Sequence, residues 1–307
     1  MAQFDDDDFR NQFRFKKQDI HRLYTQFGIE EVITSTGGRC CGKVALMMVL
    51  YKLKFPTRLI DISERFGRSR SACSGIMSTY TSRLSDKYKR KLNWDRHHIR
   101  THMQAYAEAI ALKSGGLLDR CIGFVDSTYR FICRPTRDQR ACYNRYKRKH
   151  GVKFETISGP DGIMYHVFGG VEGRRHDASV YRESGLRNLL LRDCRGMHIV
   201  GDTAYPVSAA LLKPCKATAA RALNDGETEF NRQLSSLRVV VEWSYQLVNS
   251  LFAYQNYYPF MKVFGTKPAQ QYYVCCLLTN CHACLYGNRI SNYYNLAPPT
   301  LEEYLSY

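Results

Sequence analysis

The sequence predicts an α/β protein whose mixed α/β domain is preceded by an all-α domain. Three observations carry this. Up to Lys113 the apolar residues recur at helical spacing; Ser114-Gly115-Gly116 then stops the pattern; and beyond it short apolar runs bounded by turn residues alternate with longer helical stretches. A chain of 307 residues holds two modest domains, each able to bury a core.

Residues 1–18 are polar, acidic at first and then basic at Arg14, Lys16 and Lys17, and are expected to form a flexible N-terminal tail leading into a helix near Asp19. Gly42 to Lys54 fits a short buried helix that Phe55-Pro56 ends, with Thr57 placed to cap the next one. Leu59 to Phe66 is a short amphipathic helix, Gly67 supplies a tight turn, and Ser69 caps a longer helix through Ala72, Ile76, Tyr80 and Leu84. This is the layout of a helix-turn-helix, although an ordinary helical hairpin shares its punctuation. The second helix opens with Arg68, Ser69, Arg70, Ser71 and Ser74, small polar and basic residues suited to base edges and phosphates in a major groove. Asp95 to Lys113 is one more helix, so the helical domain is expected to span 19–115.

The α/β domain is expected over 119–286. Cys121 to Val125 is a first strand, and Lys153–Ser158 and Ile163–Gly169 are two more, joined by the turn signal Gly159-Pro160-Asp161-Gly162. Asp177–Cys194 reads as a helix, Met197–Val200 as a strand, Glu227–Phe252 as a long helix and Thr266–Leu285 as another. Residues 287–307, Tyr-rich with Pro298-Pro299, read as an irregular C-terminal tail.

Charge narrows the partners. With 45 Lys+Arg against 28 Asp+Glu, a net charge of +17 attracts polyanions, nucleic acid first. The longest apolar run, Val44–Tyr51, is too short to cross a bilayer, and no membrane partner is expected. The opening Met-Ala-Gln-Phe-Asp lacks the basic start and apolar stretch of a secretory signal, so the 12 cysteines read as reduced thiols of a nuclear or cytoplasmic protein. Cys281 and Cys284 have CxxC spacing, but they lie with Cys275 and Cys276 in one apolar helical stretch and lack a second pair, which favours buried thiols over zinc.

Three acids stand out. Asp126 and Asp202 directly follow short buried strands, where a carboxylate is held rigidly at the edge of a ligand crevice. Glu242 lies within the apolar segment Val239–Trp243, so it should be partly buried and need a partner; Arg238, one turn earlier, could be that partner. Paired in that way, the acids would be structural. If the three converge instead, their repulsion calls for hard divalent cations, Mg²⁺ or Mn²⁺. Two ions about 3.5–4 Å apart activate water in phosphodiester cleavage.

Four blocks in order carry a resemblance. They are Gly123–Thr128 with Arg134-Pro135; Gln139–Phe154; Gly169–Asp177, reading GGVEGRRHD; and Gly201–Pro206, followed by Phe230-Asn231-Arg232 and Arg238–Trp243. Over roughly 120–285 the chain resembles the PIF/Harbinger transposase nucleases and their domesticated relatives, which are DDE superfamily endonucleases. The resemblance implies an RNase H-like catalytic domain with Asp126 on its first strand, Asp202 on its fourth and Glu242 on a helix beside them, the three being the metal-ligating triad. Asp177 matches a recurrent family position that orients a ligand, touches the metal or caps a helix. The 39 residues between Asp202 and Glu242 depart from the pattern, in an interval where insertions vary.

Between Arg130 and Lys153 lie nine basic residues, among them Arg134, Arg137, Arg145, Lys147, Arg148 and Lys149, against the single acid Asp138, with Tyr143 and Tyr146 interleaved. This is expected to be a phosphate-contacting flank of the site. Lys147 to His150 also reads as a nuclear import signal. The expected function is metal-dependent cutting of DNA, with a Myb-like partner protein implied by the resemblance and a homo-oligomer allowed. The alternative is a domesticated, non-catalytic DNA-binding protein on the same fold.

Overall fold

A computed structural model describes residues 5–218 and 221–306. The chain divides into two units, one of Met1–Lys89, Leu247–Leu285 and Pro299–Tyr307, the other of Arg90–Gln246 and Tyr286–Pro298. This differs from the expected division at 115: the helix Arg96–Lys113 belongs with the sheet, and the chain returns to each unit after leaving it.

In the helical unit, α1 (Asp6–Phe13) occupies the stretch expected to be a flexible tail, of which residues 1–4 lie outside the described residues, and α2 (Lys17–Phe27) is the helix expected near Asp19. The acidic run is a helix start: the Asp5 carboxylate accepts the Asp8 N–H at 2.8 Å, and Asp6, Asp7 and Asp8 suit the positive end of the helix dipole. Phe9, Phe13 and Phe15 are buried and fix the segment in place. A hairpin follows, β1 (Glu31–Ile33) against β2 (Arg39–Cys41). Helix α3 (Gly42–Lys54) is apolar on nearly all sides and is buried from Ala45 to Leu50.

α4 (Leu59–Phe66) ends at Gly67 in the left-handed region (φ 62°), and α5 (Arg70–Asn93) begins three residues later. As expected, Ser69 caps α5, its hydroxyl accepting the Ala72 N–H at 3.2 Å. Cys73, Ile76, Met77, Tyr80, Leu84 and Tyr88 form its buried stripe.

The second unit begins in the last residues of α5, at Arg90, and continues with α6 (Arg96–Lys113), capped by Asp95. The principal strands are β3 (Cys121–Phe131), β5 (Lys149–Ser158), β6 (Met164–Glu172), β7 (His198–Val200) and β8 (Leu211–Leu212). The single turn α7 (Gln139–Cys142) and the two-residue β4 (Tyr143–Asn144) precede β5, and β4 pairs with its start. Across the sheet the order is β6-β5-β3-β7-β8; β3, β5 and β6 are antiparallel, and β7 and β8 continue in parallel with β3. Taken as the first to fifth of these strands, the order is third, second, first, fourth, fifth.

One face of the sheet, through Ile122, Val125, Ile157 and Tyr165, packs with Tyr181 of α8 (Asp177–Glu183) and Leu186 and Leu190 of α9 (Leu186–Asp193). The expected single helix over 177–194 is broken at Gly185, which is left-handed (φ 67°). The other face, through Cys121, Phe124 and Val200, packs with Leu234, Leu237, Val240 and Val241 of the long α10 (Asp225–Leu251). Gly123 is required where the strand shifts register, because a Cβ there would meet the Tyr165 hydroxyl at 2.6 Å.

The expected turn 159–162 forms, with Gly162 N–H donating to the Gly159 carbonyl at 3.0 Å, and it is buried. Tyr106 donates its hydroxyl hydrogen to Asp161 at 2.5 Å, so His98 Nε2, 2.6 Å from the same oxygen, is the donor to it.

α11 (Pro268–Tyr286), in the helical unit, buries Cys275, Cys276 and Cys281 as thiols. The segment expected to be irregular carries two helices. Asn288 caps α12 (Arg289–Tyr294), whose Ile290 and Tyr294 join the α/β core, and Thr300 caps α13 (Leu301–Leu305). Cap residues and buried aromatics order what composition alone read as irregular.

Candidate active site

Asp126 stands in the middle of a strand rather than at its end. The buried run stops at Val125, but the ladder with β5 continues from Asp126 opposite Thr156 to Phe131 opposite Gly151. The period of two puts Asp126 on the Phe124 face, toward α10, and Ser127 on the Val125 face. The Ser127 N–H donates to Asp126 Oδ1 at 2.8 Å. From α10, Tyr245 donates its hydroxyl to the Asp126 carbonyl at 2.7 Å.

Asp202 lies in the loop two residues past β7, half-buried, with Oδ1 accepting the Ala204 N–H at 2.8 Å. Asp177 is the first residue of α8 and is held by Lys153 Nζ at 3.0 Å, which also donates to the Arg175 carbonyl at 2.7 Å.

The charges of the other two acids act on Asp126. Burial pushes the Asp126 carboxyl up to about 6; the Ser127 N–H and the Arg238 guanidinium oppose the rise, and the carboxylates of Asp202 and Asp177 add to it.

Glu242 is exposed, contrary to the buried position expected from its apolar neighbours. Val240 and Val241 take the buried face, and the next residue, turned 100° on, points outward. Arg238 does not pair with it. Among the described residues no ion pair joins them, Arg238 Nε is buried without a hydrogen-bond partner, and its charge acts on Asp126 instead. Arg238, Glu242 and Tyr245 share one stripe of α10 at i, i+4 and i+7. Arg238 and Tyr245 both reach Asp126, whereas Glu242 is not among the charges that act on it. No group of three acid, histidine or cysteine side chains among the described residues is drawn together tightly enough to hold a metal ion. The donor chemistry nonetheless suits one: hard carboxylates, one of them made costly to ionise by burial and two like charges, are what a divalent cation relieves.

Beneath the acids lies a polar layer that sequence reasoning missed. The hydroxyls of Ser127 and Tyr205 pair at 3.1 Å, and Lys213 Nζ donates to the Tyr205 carbonyl at 2.7 Å. Opposite Ser127 on β5 is Glu155, fully buried; its Oε1 accepts from Ser184 Oγ at 2.9 Å and faces His166 Nε2 at 3.3 Å, while His166 Nδ1 donates to the Asn93 carbonyl. Glu155 Oε2 has no hydrogen-bond partner. Both residues lie in stretches of β5 and β6 that are buried without alternation, so a charged or titratable residue inside a fully buried strand is the signal that could have flagged them.

The basic stretch separates into parts. Arg130 is buried, which removes it from the expected phosphate flank. Arg134 is tied to Gln139 at 2.9 Å, and Arg137, Lys147, Arg148 and Lys149 are exposed. Arg145 lines a groove of about 1500 Å³ with Arg140, Tyr143, Tyr146 and Arg174 that extends to Lys153 and Asp177.

In the helical unit, Arg70, Ser71 and Ser74 are exposed and line a smaller pocket of about 530 Å³ with Thr34, Ser35 and Thr36 of the β1–β2 turn. Ser69 is occupied as a cap, and half-buried Arg68 donates to the Arg39 carbonyl at 3.3 Å.

No curated protein and no solved structure matches the chain. A family model described as DDE superfamily endonuclease matches residues 125–280, a stretch that contains Asp126, Asp177, Asp202 and Glu242. That match covers half of the 307 residues, and the chain belongs to the DDE superfamily endonucleases.

Proposed function

We propose that the chain is a metal-dependent DNA endonuclease of PIF/Harbinger transposase type, with an RNase H-like catalytic domain. The observation that carries the reading is a half-buried aspartate whose ionisation is opposed by desolvation and by two other family-region acids, Asp202 and Asp177. A sheet with three antiparallel strands continued by parallel ones supports the fold assignment.

Asp126 and Asp202, with the exposed Glu242 of α10, would hold Mg²⁺ or Mn²⁺, two ions in all, and Asp177 would orient or join them. A divalent cation so bound supplies an activated water and charge neutralisation at the leaving oxygen. The chain's own contribution is positioning. Tyr245 and the Ser127 N–H fix the backbone and carboxylate of Asp126, Arg238 offsets its charge, and Lys153 holds Asp177. The freed 3′-hydroxyl could then attack a second DNA in the same site. Arg70, Ser71 and Ser74 would add DNA affinity as the start of a recognition helix, a Myb-like protein would supply end recognition, and the Lys147–Lys149 cluster would direct the protein to the nucleus.

Asp202→Asn tests the assignment in a Mg²⁺ cleavage assay. Loss of cutting by two orders of magnitude or more is expected, and a variant that cuts as fast as the parent overturns the triad. A domesticated, non-cutting DNA-binding protein is the second reading. It is favoured by one observation, that the three acids do not close into a metal-sized group among the described residues. Calorimetric titration with Mn²⁺ separates the two, since heat that vanishes in Asp126→Asn belongs to a working site.

A further inference from the structure

Tyr146 is 93% exposed, the most solvent-open of the large hydrophobic side chains among the described residues. It sits in the loop 145–148 joining β4 to β5, and that loop is ordered. Asn144 Oδ1 accepts the Lys147 N–H at 3.0 Å, Arg148 adopts the left-handed conformation (φ 52°), and the Tyr129 hydroxyl donates to the Lys149 carbonyl at 2.7 Å. A rigid loop therefore holds an aromatic ring face out in water. Tyr143, 37% exposed, stands two residues before the loop and packs on His150 with ring centroids 5.2 Å apart.

Both tyrosines line the groove that runs to Asp177, whose charge reaches Asp126. Arg140, Arg145 and Arg174 line the same groove, are exposed, and have no side-chain partner among the described residues. The neighbouring cations are already committed: Lys153 to Asp177, and Arg175 to Glu172 and Glu183.

Uncommitted guanidiniums suit a phosphodiester backbone, and ring faces suit bases. A base inside a duplex is stacked on both sides and offers no face to a tyrosine, whereas an unpaired base does. We propose that this groove binds an unpaired DNA strand, with a base stacked on Tyr146 and a second against Tyr143 and the phosphates on Arg140, Arg145 and Arg174. The strand would thread toward Asp177 and the acids beyond it. The inference rests on the nuclease reading only for the identity of the polymer.

The test uses the full chain in EDTA, so that nothing is cut. Fluorescence anisotropy follows binding of a fluorescein-labelled oligothymidine about twelve nucleotides long, a length within the usual range for single-strand sites, and of a duplex of equal length. Tyr146→Ala is expected to weaken strand binding about ten- to a hundredfold and to leave duplex binding unchanged; Tyr146→Phe, which keeps the ring face, retains most of the affinity. Because the side chain is almost fully exposed, neither change threatens the fold. Equal losses for strand and duplex, or no loss for either, overturn the proposal. Cleavage measured separately with Mg²⁺ keeps the two readings apart. A chain that cuts DNA yet binds the strand equally well without Tyr146 sinks the groove and spares the nuclease. Tyr146-dependent strand binding by a chain that never cuts does the reverse.

Discussion

Asp126 is held in a state that the fold alone does not favour, and this makes Asp126→Asn a stabilising change. Burial, with the charges of Asp202 and Asp177, raises its carboxyl from 3.8 to about 6. A shift of about two units is worth about 3 kcal/mol at 1.36 kcal/mol per unit, a ceiling for the ionised side chain in metal-free protein. In the unfolded chain the carboxyl ionises near 4; in the folded one, near 6. Between those values the folded state binds more protons, so stability falls as pH rises through the window, and the whole cost is present at pH 8. Asparagine removes the charge and keeps an oxygen for the Ser127 N–H, which donates at 2.8 Å. The two tryptophans, Trp94 and Trp243, both lie in the α/β unit, so their fluorescence reports that unit alone. In urea with EDTA, Asp126→Asn should unfold at about 1 M higher urea than the parent at pH 8 and with it at pH 4. Mg²⁺ at a hundred times its dissociation constant should restore about 2.7 kcal/mol to the parent and nothing to the variant. A variant no more stable than the parent at pH 8, or an advantage that persists at pH 4, refutes the reasoning.

Three further outcomes follow from named contacts. Tyr245→Phe deletes the 2.7 Å hydrogen bond to the Asp126 carbonyl; it should cost about 1 kcal/mol in the same urea assay and lower cleavage through kcat with KM little changed. His166→Leu leaves buried Glu155 with the Ser184 hydroxyl alone and should cost about 1–3 kcal/mol in the same urea assay, much of it recovered by the double change with Glu155→Leu. Arg174→Gln should reduce the slope of log binding constant against log salt for single-stranded DNA by about 0.7, the value for one phosphate contact, as read by anisotropy at several salt concentrations.

Punctuation made much of the fold legible. Phe55-Pro56 and Gly67 fix the ends of α3 and α4, and Gly159–Gly162 fixes the hairpin between β5 and β6. The misreadings share a cause: polar composition was taken as lack of structure. The aspartate run before Phe9 is a helix cap, the polar half of β3 is a strand because β5 supplies its ladder, and the stretch past Gly287 folds because Asn288 and Thr300 cap it. At the site, Asp126, Asp177 and Asp202 were legible as acids beside strands and a helix start. The roles of Arg238 and Tyr245 were not, since a helix stripe becomes meaningful only once the strand it faces is known. Glu242 was read from its neighbours in sequence, whereas its exposure depends on which side of α10 meets the sheet.

The alternation of the chain between the two units sets an order of events during synthesis. The α/β unit lacks Ile290 and Tyr294 until α12 has emerged, and the helical unit lacks Leu301, Tyr304 and Leu305 until α13 has emerged. At ordinary translation speeds of about 5–20 residues per second, the sheet's α10 face waits for some seconds after its last strand is made. Neither half can bury its full core before the other is almost wholly synthesised, so apolar surface on both stays uncovered for longer than in a protein whose domains follow one another.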